Sequence, residues 1–384
     1  MKGNTQLRQD NIRRLLSEIR DHAPITKREL QRITGFSWGN ISFITNKLLN
    51  DRYIVSSGKQ DTGVGRKPDE YDVNTDDNLF IGIDCSNDGL KLVVTDMRGR
   101  AVCQKQTGYP SLQRDAVLNT FYDLIQQTLD AFPAASFRYI AVGMQGLVDT
   151  EAGVSRLIGR FEGWQDVPLK AILEERFSLP VMLIHDPDCL MRTEMSYGVL
   201  RSANAGTALL VRMERNGVGM SIMMNNRLCT GVHGCAGEIG RMIIPYDGPS
   251  GFTYLDWLMP EEGLKSLYAE VCGEERPINY EQLAELARNN DPVGLQIFHK
   301  LTVGIGMALI NLVNLFNPEY VILYGELQQY ADLYMETLTA LLRENAYDSS
   351  VKLCMSDTGP DSAAIGAALW AADRVMEELQ FMEV

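Results

Sequence analysis

The segment TKRELQRITGFSWGNISFITNKLL, residues 26–49, decides how the first part of the chain folds. Thr26 stands at an N-cap position and Glu29 follows three residues on, the spacing of a capping box in which each side chain satisfies an otherwise orphaned amide. Leu30 and Ile33 then point inward on a short helix that Gly35 closes. Ser37 caps a further helix with Ile41, Ile44 and Leu48 as its buried stripe, while Trp38, Asn40, Ser42, Phe43, Asn46 and Lys47 lie mostly on its other faces. Helix, glycine turn and helix form the pattern whose second helix enters the major groove of DNA. Ser37, Trp38, Asn40, Ser42, Phe43 and Lys47 are the candidate DNA-contacting residues.

Working outward, Ile12, Leu15, Leu16 and Ile19 repeat at helical spacing over residues 8–22, ahead of Ala23-Pro24. Downstream, Tyr53-Ile54-Val55 and Tyr71-Asp72-Val73 read as strands around a polar loop holding Gly63-Val64-Gly65-Arg66-Lys67-Pro68, the outline of a wing. Without a following helix or a Gly-Lys-Ser/Thr, that loop is no nucleotide cradle. Arg66 and Lys67 suit phosphate or minor-groove contact. The competing reading is a solvated, charged hairpin tip.

The charge distribution agrees with a DNA-reading head. The chain of 384 residues carries −14 overall, yet residues 1–75 hold 13 Lys/Arg against 9 Asp/Glu, a net +4 that leaves −18 for the remainder. Attraction to phosphate acts over about 8 Å at physiological salt, so an acidic body does not cancel a basic head. No uninterrupted apolar run of membrane-spanning length and no signal-peptide core is present, so a cytoplasmic protein with no membrane role is expected. The seven cysteines are scattered without a Cys-x-x-Cys pair, which predicts reduced thiols, mostly in the core.

From Leu79 the pattern changes. β-rich runs at 79–83, 90–95 and 101–105 precede a helix from about Asp115 to Phe132, and a second such unit follows at 208–213 and 219–224 with a long apolar helix around Phe298 to Phe316. Two similar halves imply an α/β body with a cleft.

Within the second half lies His-Gly-Cys-Ala-Gly-Glu-Ile-Gly-Arg, residues 233–241. With the capped Ser37-to-Leu49 helix and the Gly65-Arg66-Lys67-Pro68 wing, this motif resembles the ROK family of bacterial sugar kinases and of xylose- or N-acetylglucosamine-type repressors that carry an added winged helix. The resemblance covers essentially the whole chain. It implies an N-terminal winged helix-turn-helix (1–76) and a two-lobed actin-like ATPase-type body. Lobe 1 would span 77–192, with a C-terminal helix at 362–380 packing back onto it, and lobe 2 would span 193–361, with a sugar between the lobes.

Measured against the family, the phosphate side is eroded. Where ROK kinases read Asp-x-Gly-Gly-Thr, this chain has Asp84-Cys85-Ser86-Asn87-Asp88-Gly89, without both cradle glycines and with an added anion, and the second glycine pair is reduced to Tyr324-Gly325-Glu326. ATP binding and enzymatic phosphoryl transfer are therefore not expected, and no cofactor is. The sugar side is better kept: Asp186 matches the catalytic aspartate, Glu238 the glutamate on sugar hydroxyls, His233 opens the motif, Asp149 ends a cleft loop, and Trp164 lies in a sugar-contacting turn. The structural alternatives are a helix cap for Asp186 and an internal salt bridge for Glu238. Arg241 replaces the family's zinc-bridging histidine, and residues 244–251 lack the companion cysteines, so no metal is expected. Arg160 replaces a sugar-binding asparagine. Two guanidinium groups would favour an anionic ligand such as an acidic sugar derivative over a neutral sugar, unless they pair with Asp186 and Glu238 and fill the cleft.

The expectation is a repressor of carbohydrate genes, acting on a pseudopalindromic operator as a homodimer or dimer of dimers. An ATP-dependent sugar kinase, or a partner-binding protein with a vestigial cleft, are the alternatives.

Overall fold

The computed structural model describes residues 2–378 except 60–67, 87, 134, 204, 216, 233, 247–250 and 275, and the side chains from residue 9 onward apart from Lys59. Contacts divide it into two units, residues 1–192 with 360–384, and residues 193–359.

The first unit begins with α1 (Lys2–His22), β1 (Ile25–Thr26), α2 (Lys27–Thr34), α3 (Trp38–Asn50), β2 (Ile54–Lys59) and β3 (Asp69–Val73). The capping box at Thr26 and Glu29 is present, and Gly35 takes φ 72° at the end of α2. Ile33, expected inside, is 37% exposed. The inward line of α2 is instead Leu30 and Thr34, four residues apart, with the Thr34 hydroxyl donating to the Leu30 carbonyl. Ile12, Leu15, Leu16, Ile19, Leu30, Ile41, Ile44, Leu48 and Ile54 are all buried, so three helices close over a small sheet of order β1-β3-β2.

A five-stranded sheet follows, from β4 (Leu79–Cys85), β5 (Leu90–Thr95), β6 (Ala101–Thr107), β7 (Phe137–Met144) and, beyond a small sheet of β8 (Leu147–Asp149), β9 (Val154–Leu157) and β10 (Gln165–Val167), β11 (Val181–His185). Its order is β11-β7-β4-β5-β6, with β4, β7 and β11 parallel and β4, β5 and β6 a meander. Helices α4 (Arg114–Ala131), α5 (Leu169–Phe177) and α6 (Asp186–Ser196) connect or follow these strands.

The second unit repeats the plan. After α7 (Val199–Ala203) come β12 (Ala208–Glu214), β13 (Gly217–Met224), β14 (Arg227–Leu228), the hairpin β15 (Ile243–Pro245) and β16 (Phe252–Tyr254), then α8 (Glu261–Cys272), α9 (Tyr280–Arg288), α10 (Pro292–Phe316), β17 (Tyr320–Tyr324), α11 (Met335–Asn345) and β18 (Lys352–Met355). The sheet runs β14-β13-β12-β17-β18, again a meander joined to three parallel strands. α10 starts six residues before the apolar run because Asp291 caps it and Pro292 occupies its first turn. By length and composition α10 could cross a membrane, but Ile297, Leu301, Ile305, Leu309 and Val313 are buried in the core of this unit.

The final helix, α12 (Ser362–Glu378), belongs to the first unit. Its alanines 363, 364, 367, 368, 371 and 372 are buried against the sheet. The approach is so close that a β-carbon on Gly82 of β4 would lie 1.9 Å from the Ala364 carbonyl oxygen. The seven cysteines are free, with only Cys85 and Cys189 buried and Cys229 exposed, so fewer of them sit in the core than expected.

Candidate nucleic-acid interface and ligand-site residues

The helix-turn-helix geometry follows from its caps. Thr26 Oγ1 accepts from the Glu29 amide at 3.3 Å, and Glu29 Oε2 accepts from the Thr26 amide at 2.9 Å and its hydroxyl at 2.8 Å. These hydrogen bonds hold the Glu29 carboxyl below its usual range. Ser37 Oγ accepts from the Asn40 amide at 3.3 Å and so starts α3. On α3, Asn40 and Ser42 are half-buried, Trp38 is 50% exposed and Phe43 is 60% exposed. That exposure removes Phe43 from the core. Lys47 lies 3.5 Å from Asp51, one turn on, and Lys27 donates to Asn46 at 3.1 Å. Arg66 and Lys67 of the wing lie outside the described residues.

Polar clamps tie this head to the sheet that follows. The Asn78 side chain donates to the Arg52 carbonyl at 3.1 Å, and Asn74 donates to the same carbonyl at 3.0 Å. Arg138 donates to Asn78 at 2.9 Å and stacks over the Tyr53 ring. At the other side Asp373 of α12 receives Arg20 of α1 at 3.0 Å and Arg192 of α6 at 2.6 Å. Burial pushes the Asp373 carboxyl up, but Arg192 and Arg20 together outweigh it and hold it below the ordinary carboxylate range. No sequence motif marked this triad: its members are 172 and 181 residues apart in the chain.

The phosphate-loop segment is closed on itself. The Ser86 amide and hydroxyl both donate to the Gly89 carbonyl, at 3.1 and 3.0 Å. Tyr109, which the sequence did not single out, places its hydroxyl 3.1 Å from the Ser86 carbonyl, 3.2 Å from that of Gly89 and 3.3 Å from the Cys85 sulfur. Burial pushes the Cys85 thiol up to about 12 and the Tyr109 phenol higher than usual. The Ser86 amide that a phosphate would need is thus already spent.

The sugar-side residues fare differently. Asp186 opens α6 and is buried, with His185 Nε2 3.7 Å from its Oδ1. Asp149 caps the Ala152 amide at 2.9 Å and binds Arg156 at 2.7 Å, so it holds its own turn together. Trp164, expected in a sugar-contacting turn, is 1% exposed, its indole N–H donates to Ser155 at 2.8 Å, and Phe161 packs edge-on at 5.5 Å. Its amphipathic side chain is satisfied inside the core. Arg160 is exposed in the preceding turn and makes no ion pair among the described residues.

In the second unit Glu238 is exposed and precedes the single 3-10 turn Ile239–Arg241. Gly237 takes φ 96° because its backbone lies on β13, where a β-carbon would come 2.0 Å from the Met220 carbonyl oxygen. The Arg241 guanidinium sits 4.4 Å over the Tyr254 ring. His233 lies outside the described residues. Asp256, absent from the sequence reading, accepts from the Val218 amide at 2.8 Å and packs against Gly217 and Gly240. Burial raises its carboxyl pKa against the pull of Val218 and Arg241. The glycines 217 and 240 therefore have an internal reason to be glycine, and a carboxylate occupies the space beside them. A zinc ion of the kind the family resemblance implies does not fit. Arg241 stacks on Tyr254 where the family has an imidazole, and residues 244–251 supply no thiolate.

Comparison with known proteins places these features together. Residues 8–55 match winged helix-turn-helix DNA-binding domains, and residues 80–374 match the ROK family. The chain is 24% identical over 381 residues to the xylose repressor of Bacillus subtilis (strain 168), spanning 97% of each. It is 21% identical over 360 residues to the DNA-binding transcriptional dual regulator NagC of Escherichia coli (strain K12), spanning 90% of this chain and 87% of NagC. The crystal structure of a ROK family transcriptional regulator, a homolog of the E. coli MLC protein, superposes with a TM-score of 0.81 at 21% identity, covering 97% of this chain and 98% of that one. With the family pattern running from residue 80 to residue 374, the protein belongs to the ROK family.

Proposed function

We propose that the protein is a sequence-specific DNA-binding transcriptional regulator that represses genes of carbohydrate uptake or catabolism. The observation that carries this reading is the capped helix-turn-helix joined to a ROK body whose phosphate-loop segment is tied up by Ser86, Gly89 and Tyr109. Relatives named as xylose repressor and as NagC support it. In this reading the body has no kinase activity, acts in the cytoplasm as a homodimeric scaffold, and senses a sugar, with Asp186 of the first unit and, separately, Glu238 and Arg241 of the second as candidate ligand residues. Arg160 and Arg241, the two departures toward positive charge, favour an acidic sugar derivative over a neutral one.

A ligand that binds one head arrangement better than another shifts the population between them, and with it the spacing of two heads on a pseudopalindrome. The test is an electrophoretic mobility shift on the protein's own upstream region and neighbouring promoters, with neutral and acidic sugars. Specific, salt-sensitive binding released by one sugar supports the reading. Specific binding indifferent to every sugar removes the sensor, and absence of specific binding removes the regulator.

A further inference from the structure

The outward face of α3 carries an unusual set of side chains for a DNA-reading helix. Ile41, Ile44, Thr45 and Leu48 are buried, so the opposite line, at helical spacing, runs Gly39, Phe43, Asn46 and Asn50, and all four are exposed. The single cation of the helix, Lys47, lies at the edge of this line beside Asp51. No guanidinium or ammonium stands at its centre to take the O6 and N7 acceptors of guanine.

Among the described residues, two of these lack a packing reason for their identity. Phe43 is 60% exposed, so the fold gains little from its ring. Among the described residues, nothing lies within 4 Å of where a β-carbon on Gly39 would stand, and no left-handed φ demands glycine there. A helical glycine without a packing role leaves the backbone bare, which matters where another surface approaches closely. One turn beyond that bare patch an aromatic ring projects.

We infer that Phe43 is a specificity-determining residue that reads the 5-methyl group of a thymine in the major groove, with Gly39 letting the helix approach closely enough for contact. The thymine methyl is the one apolar group on the floor of that groove, and apolar side chains recognise it. Asn46, next along the line, has the amide that matches adenine N6 and N7. This inference rests on the DNA-binding reading above.

The test uses the intact protein and the duplex it selects from a random-sequence library at physiological salt. Each thymine of the selected half-site is replaced in turn by deoxyuridine, which differs only by the missing methyl. The expected result is one position per half-site where the replacement weakens binding about fourfold, the worth of one buried methyl group. Phe43→Ala should bring that ratio to one, and Phe43→Arg should move the preferred base at that position to guanine. Because the ring is exposed, both variants should keep the wild-type circular dichroism and Tm.

A wild-type protein indifferent to deoxyuridine at every position, or a Phe43→Ala protein that keeps the fourfold ratio, overturns the inference while leaving the regulator intact. Failure to select any specific sequence overturns the regulator reading and this inference with it.

Discussion

Replacing Asp373 by alanine tests how the head is held. Its carboxylate lies between Arg192, at 2.6 Å, and Arg20, at 3.0 Å, whose side chains are 10% and 16% exposed against 25% for its own. Breaking a fully buried ion pair by removing one partner costs 3–5 kcal/mol, because the other charge stays desolvated. With a quarter of the carboxylate in solvent, about 3 kcal/mol is the expected loss for Asp373→Ala. For a unit of this size that lowers Tm by roughly 6–12 °C.

Asp373→Asn, which keeps the shape and one acceptor, should lose about half as much. The pH dependence carries a definite sign. The folded-state pKa is depressed, so the contribution is complete above the ordinary carboxylate pKa of about 3.9 and fades as pH falls through the folded value. The gap between wild type and Asp373→Asn should be constant from about pH 5 to 8 and close only at pH values below the ordinary carboxylate pKa of about 3.9. Urea unfolding followed by circular dichroism gives the energies, and hydrogen exchange of the α1 amides shows whether the head loosens. A loss under about 0.5 kcal/mol, or unchanged exchange in α1, refutes the reasoning. As a control, Arg20→Met, Arg192→Met and Asp373→Leu together should be much closer to wild type than Asp373→Ala alone.

Further outcomes are expected elsewhere. Thr26→Ala removes one side of the capping box and should cost about 1 kcal/mol, read from the same unfolding curves. Gly237→Ala would drive a methyl into the Met220 carbonyl at a left-handed φ and should destabilise the second unit by more than about 2 kcal/mol, again by urea unfolding. Arg66→Ala with Lys67→Ala should lower the slope of log K against log salt by about 2, as measured by fluorescence anisotropy on operator DNA. Mg-ATP should give no saturable heat in isothermal titration, since the loop that would cradle it is bonded to Tyr109 and to itself.

The head was legible in the sequence because its determinants are local. Thr26, Glu29, Gly35 and Ser37 act within four residues of themselves, and the capping rules reach that far. The repeated meander was legible for the same reason, as alternating apolar runs between turns. Ile33 was misplaced because helical periodicity admits both the i+3 and i+4 lines, and only the packing of α2 on its neighbours selects Thr34. The burial of Trp164 was not legible because a tryptophan after glycine looks alike whether its indole finds Ser155 or a solute. Asp373 and Asp256 were invisible for a deeper reason. Each is a lone acid whose partners come from remote elements, and nothing near it in the chain distinguishes it from a solvated surface carboxylate.

The return of α12 to the first unit sets an order of events during synthesis. Residues 193–359 form a continuous unit that emerges whole from the ribosome and can close at once. The sheet before it cannot, since β4 lacks its cover until residues 362–378 have been made. Gly82 then admits the Ala364 backbone, and only at that moment does Asp373 reach Arg20. The nascent chain therefore carries a helix-turn-helix already clamped to its sheet through Asn74, Asn78 and Arg138, and the tie from Asp373 to α1 is the one that waits for α12.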